Sequence, residues 1–196
     1  WQHGSESLPL MLPVTWSLLS DALMRQRGVA ALEPWRDLMP PLLPHLPAGP
    51  ADHLRLALGR IAWAEGDAAT TWEWLHACGE ELAARGGVGL AQLPWRPLAV
   101  RALLALQRPD DATHLANENL ALARQFASPG PLGQALLTAA ETATQAGDDR
   151  AALRLLEEAV TVAGGSENRL IQVEAMAAFG VALSPGDGVR ARAVLE

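Results

Sequence analysis

The sequence predicts an all-α chain, an α-solenoid of stacked antiparallel helical hairpins. Apolar residues recur at helical spacing in successive segments of similar length. Turns rich in Gly, Pro and Asp separate these segments, and longer and shorter turns alternate, as in stacked helix pairs. The mid-hairpin turns fall at Gly28, Gly66, Arg108, Gly147 and Gly186, in steps of 38, 42, 39 and 39 residues. A period held that closely is the mark of a helical-repeat array.

Residues 1–11 carry Gly4, Pro9 and brief apolar runs and read as a loose lead-in. Pro13 suits the first turn of a helix reaching Arg27, closed by Gly28. Val29 to Met39 is expected as a second helix, stopped by Pro40 and Pro41, which lack an N–H. Five prolines lie between Pro40 and Pro50, among Leu42, Leu43 and Leu46. Flexible linkers are polar, so these leucines should anchor an irregular stretch onto the array. This stretch divides residues 1–50, an N-terminal hairpin with its Pro-rich connection, from residues 51–196, the repeats proper.

Ala51 to Glu65 resumes the helical pattern, with Leu54, Ala57, Leu58, Ile61 and Ala62 on one stripe. After Gly66, Asp67 is placed to cap a helix running to Arg85, ended by Gly86 and Gly87. Val88 to Pro94 is a loop. Trp95–Leu106 and Ala112–Phe126 are the next two helices, with Arg108-Pro109-Asp110-Asp111 between them. Leu132–Ala146 and Ala151–Ala163 follow, joined by Gly147-Asp148-Asp149. The second of these is apolar on two faces: Ala152, Leu155 and Ala159 on one, Leu153, Leu156 and Val160 on another. A helix sandwiched between neighbours needs that pattern. Ser166 reads as the cap of a helix to Leu183, and Val189 to Glu196 begins another. The period exceeds the roughly 34 residues of the tetratricopeptide unit, so the fold expected is tetratricopeptide-like with longer loops.

Composition narrows the function. All 15 basic residues are Arg, so a phosphate-loop lysine and a Schiff-base lysine are both excluded. A net charge of -7 argues against nucleic acid as a partner of this segment, because phosphate contacts need clustered cations. No apolar run approaches the ~18 residues of a membrane span, and no secretory signal pattern opens the chain. Cys78 is the single cysteine, which fits a reducing cytoplasm and offers no redox or metal pair. His3, His45, His53, His76 and His114 form no close pair at metal spacing. No catalytic constellation, metal site or cofactor motif emerges, so the chain is expected to be a non-enzyme. A start at Trp1 and an end within a helical pattern are expected of an excised piece.

The stretch Leu93–Ala123, LPWRPLAVRALLALQRPDDATHLANENLALA, resembles the repeat region of large ATP-binding LuxR-type transcriptional regulators, relatives of the maltose-operon activator. The resemblance rests on Leu93-Pro94-Trp95-Arg96, on Leu122-Ala123-Arg124, on Phe126-Ala127-Ser128-Pro129 before Leu132-Gly133, and on GDDRAALRLLEEAV from Gly147 to Val160. It covers Arg60 to Glu196 and is vague before Pro50. In that family such a region lies between an ATPase and a DNA-binding helix-turn-helix, neither of which is in this sequence. The resemblance implies a cytoplasmic sensor or scaffold that relays binding of a small-molecule inducer, peptide or protein to the attached domains. The alternative is a free-standing tetratricopeptide adaptor for a peptide or protein partner.

By analogy with tetratricopeptide folds, the first helix of each pair lines the binding side. Here these are residues 51–65, 95–107, 131–146 and 167–183. The residues off their packing stripes are His53, Arg60 and Trp63, then Arg96 and Arg101, then Gln134, Thr138 and Glu141. Such a groove would be cationic and aromatic in its N-terminal half and neutral to acidic beyond, with Arg offering forked hydrogen bonds to an anion or acidic peptide. The plainer alternative leaves Arg96 and Arg101 paired with Asp110, Asp111 or Glu118, and Trp63 in the core. Trp72 and Trp74 are two apart, so one of them should lie near the surface. Val173, Ala177 and Val181 are expected to lack a covering partner and to favour self-association.

Overall fold

The structure is a computed structural model, and it describes residues 15–17, 19–20, 22–23, 26–32, 36–89 and 93–183. The expectations for the lead-in, Trp1, Trp35, Gly186 and Val189–Glu196 lie outside these residues. Among the described residues every regular element is helical and none is a strand. We number the α-helices α1 Ala48–Ala64, α2 Ala68–Ala84, α3 Arg96–Ala105, α4 Pro109–Phe126, α5 Pro129–Gln145, α6 Asp149–Ala163 and α7 Arg169–Leu183. The chain divides into two compact units, residues 1–106 and 107–196.

In the first unit the described residues between 15 and 27 are helical, and Gly28 follows with φ of 77°. Of the helix expected over Val29–Met39, Val29–Leu32 is a 3-10 turn with Leu32 fully buried, Arg36 is helical, and residues 37–39 form a turn and bend. A second 3-10 turn, Pro40–His45, occupies the proline-rich stretch. Prolines at 40, 41 and 44 supply no N–H, so an α-helical ladder cannot run through Pro40–His45. Leu43 and Leu46 pack onto the core formed by Trp16, Leu32, Leu54, Ala57, Leu58 and Ile61, as the anchoring argument requires, whereas Leu42 is exposed.

Helix α1 begins three residues before its expected start and carries Pro50 in its first turn, where a missing N–H costs nothing. It is buried nearly all round: Leu54, Leu56, Ala57, Leu58, Gly59, Ile61 and Ala62 have almost no exposure. It packs against both 3-10 turns and α2. Helix α2 packs in turn against α3. Both helix pairings in this unit use a notch. A Cβ on Gly59 would stand 2.8 Å from Leu75 Cδ2, and one on Gly79 would stand 2.4 Å from Trp95 Cζ2. The absent side chains therefore admit Leu75 of α2 against α1, and Trp95 at the head of α3 against α2.

In the second unit α5 is central, packing against α4, α6 and α7. Ala140, Leu156, Phe179 and Leu183 form a core, with Leu137, Leu153, Leu155 and Val160 packed around it. Both apolar faces of α6 are used, as their spacing demands. Gly133 repeats the notch: its Cβ would lie 3.0 Å from Ile171 Cγ2 of α7. Asn168 caps α7 by accepting from Leu170 N–H at 3.1 Å, while Ser166 Oγ accepts from Asn168 N–H at 3.1 Å. The expected single serine cap is thus a two-residue relay.

The repeat is plainest in the turns. Gly66 and Gly147 have φ of 83° and 75°, and each N–H donates 3.0 Å to the residue three before it, Trp63 and Thr144. Asp67 and Asp148 follow, their N–H groups donating 2.9 Å to Ala62 and Ala143 carbonyls. Their carboxylates accept from Thr70 and Ala151 N–H at 2.9 and 2.8 Å. Two chemically matched caps thus start α2 and α6. The intervening turn puts Gln107 in the same left-handed region, φ 58°, where a Cβ is strained. Replacing Gln107 with Gly should therefore raise stability by about 0.5–1 kcal/mol, while Gly147→Ala should lower it by about 1 kcal/mol. Urea unfolding of the two variants checks both signs.

Candidate binding surface

The buried sides of the helices leave narrow open stripes. On α1, whose other faces are packed, His53 and Arg60 lie seven residues apart on the least buried side. Arg60 Nη1 reaches the Ser17 carbonyl at 3.5 Å. Burial depresses the His53 imidazole below its usual 6.5, Asp52 pulls it back up, and the Arg60 cation depresses it further. Trp63 is half-buried and lies round the helix from them.

On α3 the two arginines part company. Arg101 is exposed. Arg96 is buried, its guanidinium 4.7 Å over the Trp95 ring and its Nη1 donating to the Val88 carbonyl. Five residues of helix turn them about 140° apart, so they cannot share a face. Leu93 is buried beside Trp95, whose N–H donates 2.9 Å to the Leu93 carbonyl. The Leu-Pro-Trp-Arg run is therefore a junction: it plugs the Gly79 notch and clasps the connection from α2.

On α5, Gln134, Leu137 and Glu141 form a half-buried stripe with i, i+3, i+7 spacing. Thr138 lies inside it, buried, its hydroxyl donating 2.9 Å to the Gln134 carbonyl. Leu137 also packs against the core of the second unit. Helix α7 turns Leu170, Val173, Ala177 and Val181 outward; Val173 is 62% and Val181 72% exposed. On α2, Trp74 packs on the core of the first unit, and Trp72 stacks on His76 with centroids 4.6 Å apart.

One charged cluster carries no signal in the sequence. Asp52 is 2% exposed, and its carboxylate accepts from Arg85 at the end of α2 and from Arg55 Nη1 at 3.3 Å. Glu81 lies 3.6 Å from Arg85, and the Cys78 thiol points at the Asp52 carbonyl, 3.7 Å away. Burial, foremost, and the Asp52 charge push that thiol up to about 12, so it is inert as a nucleophile at neutral pH. Burial also raises the Asp52 carboxyl above 3.8, against the opposing pull of Arg85 and Arg55. Among the described residues no three His, Cys, Asp or Glu side chains are grouped to hold a metal ion, and no helix is long and apolar enough to cross a membrane.

The raised Asp52 value fixes a sign. The folded chain holds this proton more tightly than the unfolded chain, so this group's contribution to stability rises as pH falls through its folded value towards 3.8. Asp52→Asn should remove that rise and cost little at pH 7. Arg85→Ala should cost about 2 kcal/mol there, because it strips a buried carboxylate of one of its two cations. Denaturant melts of both variants at pH 7 and pH 4.5 test the asymmetry.

Comparison with solved structures identifies the fold as TPR-like. The chain matches the nearly identical TPR-like repeats of a kinesin light chain protein of Podosopora anserina with TM-score 0.67 and 16% identity, over 93% of this chain and 92% of that one. A single-substitution variant of that protein matches at TM-score 0.69 and 16% identity, over 94% of this chain and 92% of the variant. The apo form of the quorum sensor NprR from B. thuringiensis matches at 0.53 and 11% identity, over 91% of this chain and 61% of NprR. At these identities the likeness is one of fold. No protein-family model matches the chain, and no curated protein matches it.

Proposed function

We propose that this chain is a non-catalytic sensor and scaffold segment of a LuxR-type ATP-binding transcriptional regulator. In this reading it binds an inducer, peptide or protein and relays that event to attached ATPase and DNA-binding domains, in the cytoplasm. The observation that carries the reading is α1: a helix buried on nearly every side whose least buried stripe holds His53 and Arg60, both half-buried. Such a stripe holds polar recognition groups on a rigid element. Arg101 on α3 adds an exposed cation in the same unit, and Gln134, Leu137 and Glu141 on α5 are a separate half-buried stripe of the second unit. Trp63 borders the α1 stripe. Arg96 and Thr138 are turned inward, Arg96 fixing the connection before α3 and Thr138 bonding the Gln134 carbonyl within α5. The LuxR-type motifs from Leu93 to Val160 favour a regulator, and the fold shared with a quorum sensor agrees with a sensing role.

The match to nearly all of a kinesin light chain's TPR-like repeats favours the second reading, a free-standing adaptor for a peptide or protein. A helix-turn-helix in the same polypeptide, about one domain length after Glu196, separates the two. Self-association through Leu170, Val173, Ala177 and Val181 belongs to either reading, since an exposed apolar stripe favours pairing.

The direct test replaces Arg101, and separately Arg60, with Ala in the full-length regulator. A transcriptional response reduced at least tenfold, with the melting temperature moved by no more than about 2 °C, supports the reading. A lowered melting temperature with an intact response would make both arginines structural.

A further inference from the structure

The buried Asp52 cluster does more than join α1 to α2. Arg85 is the C-cap of α2 and opens the connection leading to α3, of which residues 85–89 are described. This stretch is held at both ends. At its start, Arg85 of α2 is tied to the Asp52 carboxylate of α1. Near its end, the Val88 carbonyl is tied to Arg96 of α3. Between these ties the chain folds back on α2: Gly87 N–H donates 3.0 Å to the Leu82 carbonyl. A Cβ on Gly87 would lie 2.6 Å from Leu82 Cδ1, so the backbone lies directly on that side chain.

The two ties differ in kind. Arg96 is stacked on Trp95 and bound to a neutral backbone carbonyl, a group that does not titrate. The Arg85 tie depends on a carboxylate enclosed in the protein. The groups facing Asp52 are Arg55 and His53 from its own helix, and Arg85, Glu81 and Cys78 from α2. Among the described residues, Arg55 is the close cation that remains if Arg85 leaves. The hairpin does not need the tie for its cohesion, because Leu54, Leu58 and Ile61 of α1 and Leu75 of α2 are buried apart from it.

We propose that Asp52 and Arg85 form a proton-released latch: neutralising Asp52 frees Arg85 and opens the connection at residues 85–89, while the α1–α2 hairpin stays folded. The two consequences of acid thus have opposite signs. Local order falls, since a neutral carboxyl holds a guanidinium far more weakly than a carboxylate does. Global stability does not fall on account of this group, since a neutral Asp52 no longer bears the cost of burying its charge. The latch thereby gives the first unit a local opening that its core does not share.

Amide hydrogen exchange of the intact chain, followed by NMR and corrected for intrinsic rates, tests this. In the wild type the Gly87 amide should be protected at pH 7 and lose at least tenfold protection at pH 4.5, with the α1 and α2 core amides unchanged. Asp52→Asn should show the open, pH-independent state at both values. Arg85→Gln should show the same open connection, which separates release of the tie from any effect peculiar to the asparagine. Wild-type protection of Gly87 in either variant would overturn the latch. So would a pH-dependent loss persisting in Asp52→Asn, because it would assign the titration to His53 or Glu81.

Discussion

The joining of α2 to α3 turns on one close contact, the Trp95 ring in the place where Gly79 has no side chain. Helices in a repeat array must bury two faces, and the notch determines how closely the next one can approach. An alanine at Gly79 would gain helix propensity of about 1 kcal/mol and still lose, because its Cβ would overlap the indole. The indole in turn carries the Arg96 guanidinium on its face, and Arg96 holds the Val88 carbonyl. One close contact thus positions a ring, a cation and a loop. Gly59 with Leu75 and Gly133 with Ile171 apply the same device elsewhere.

This accounts for why the Leu-Pro-Trp-Arg run is so distinct in the sequence. It is a structural signature: Leu93 and Trp95 are buried, Arg96 clasps, and none of the three presents a reactive group outward. What the packing leaves less buried is His53 and Arg60 on α1 and Arg101 on α3 in the first unit, and the α5 stripe in the second. Those residues are spread along helices whose opposite sides are fully committed to the core.

Much of the fold was legible. The turn glycines at 66 and 147 and the aspartates after them announce themselves by residue type, because left-handed backbone and an N-cap each select few side chains. The two-faced pattern of α6 was equally readable. Val29–Leu32 was not, since apolar spacing there resembles an α-helix while the prolines withhold the donors that a helix needs. Gln107 escaped because its left-handed backbone carries no glycine to signal it. The candidate surface was half legible. His53, Arg60, Arg101, Gln134 and Glu141 sit on the less buried sides of their helices. Arg96 turns inward because it lies near Ala99 and Leu103 in helical angle, while Thr138 is short enough to be covered by its neighbours. The Asp52 cluster joins residues 33 apart in sequence, and no local pattern records that.

The most direct test of the junction is a double-mutant cycle on Gly79 and Trp95, read by equilibrium unfolding of the whole chain. If the notch exists to admit the indole, Gly79→Ala should destabilise the wild type by about 1–3 kcal/mol. In a Trp95→Leu background, where the smaller side chain leaves room for a methyl group, most of that penalty should vanish. A coupling energy of about 1 kcal/mol or more is the predicted result. Strictly additive effects of the two substitutions would contradict the account, since they would mean that the two residues do not share the space on which the joining of α2 to α3 depends.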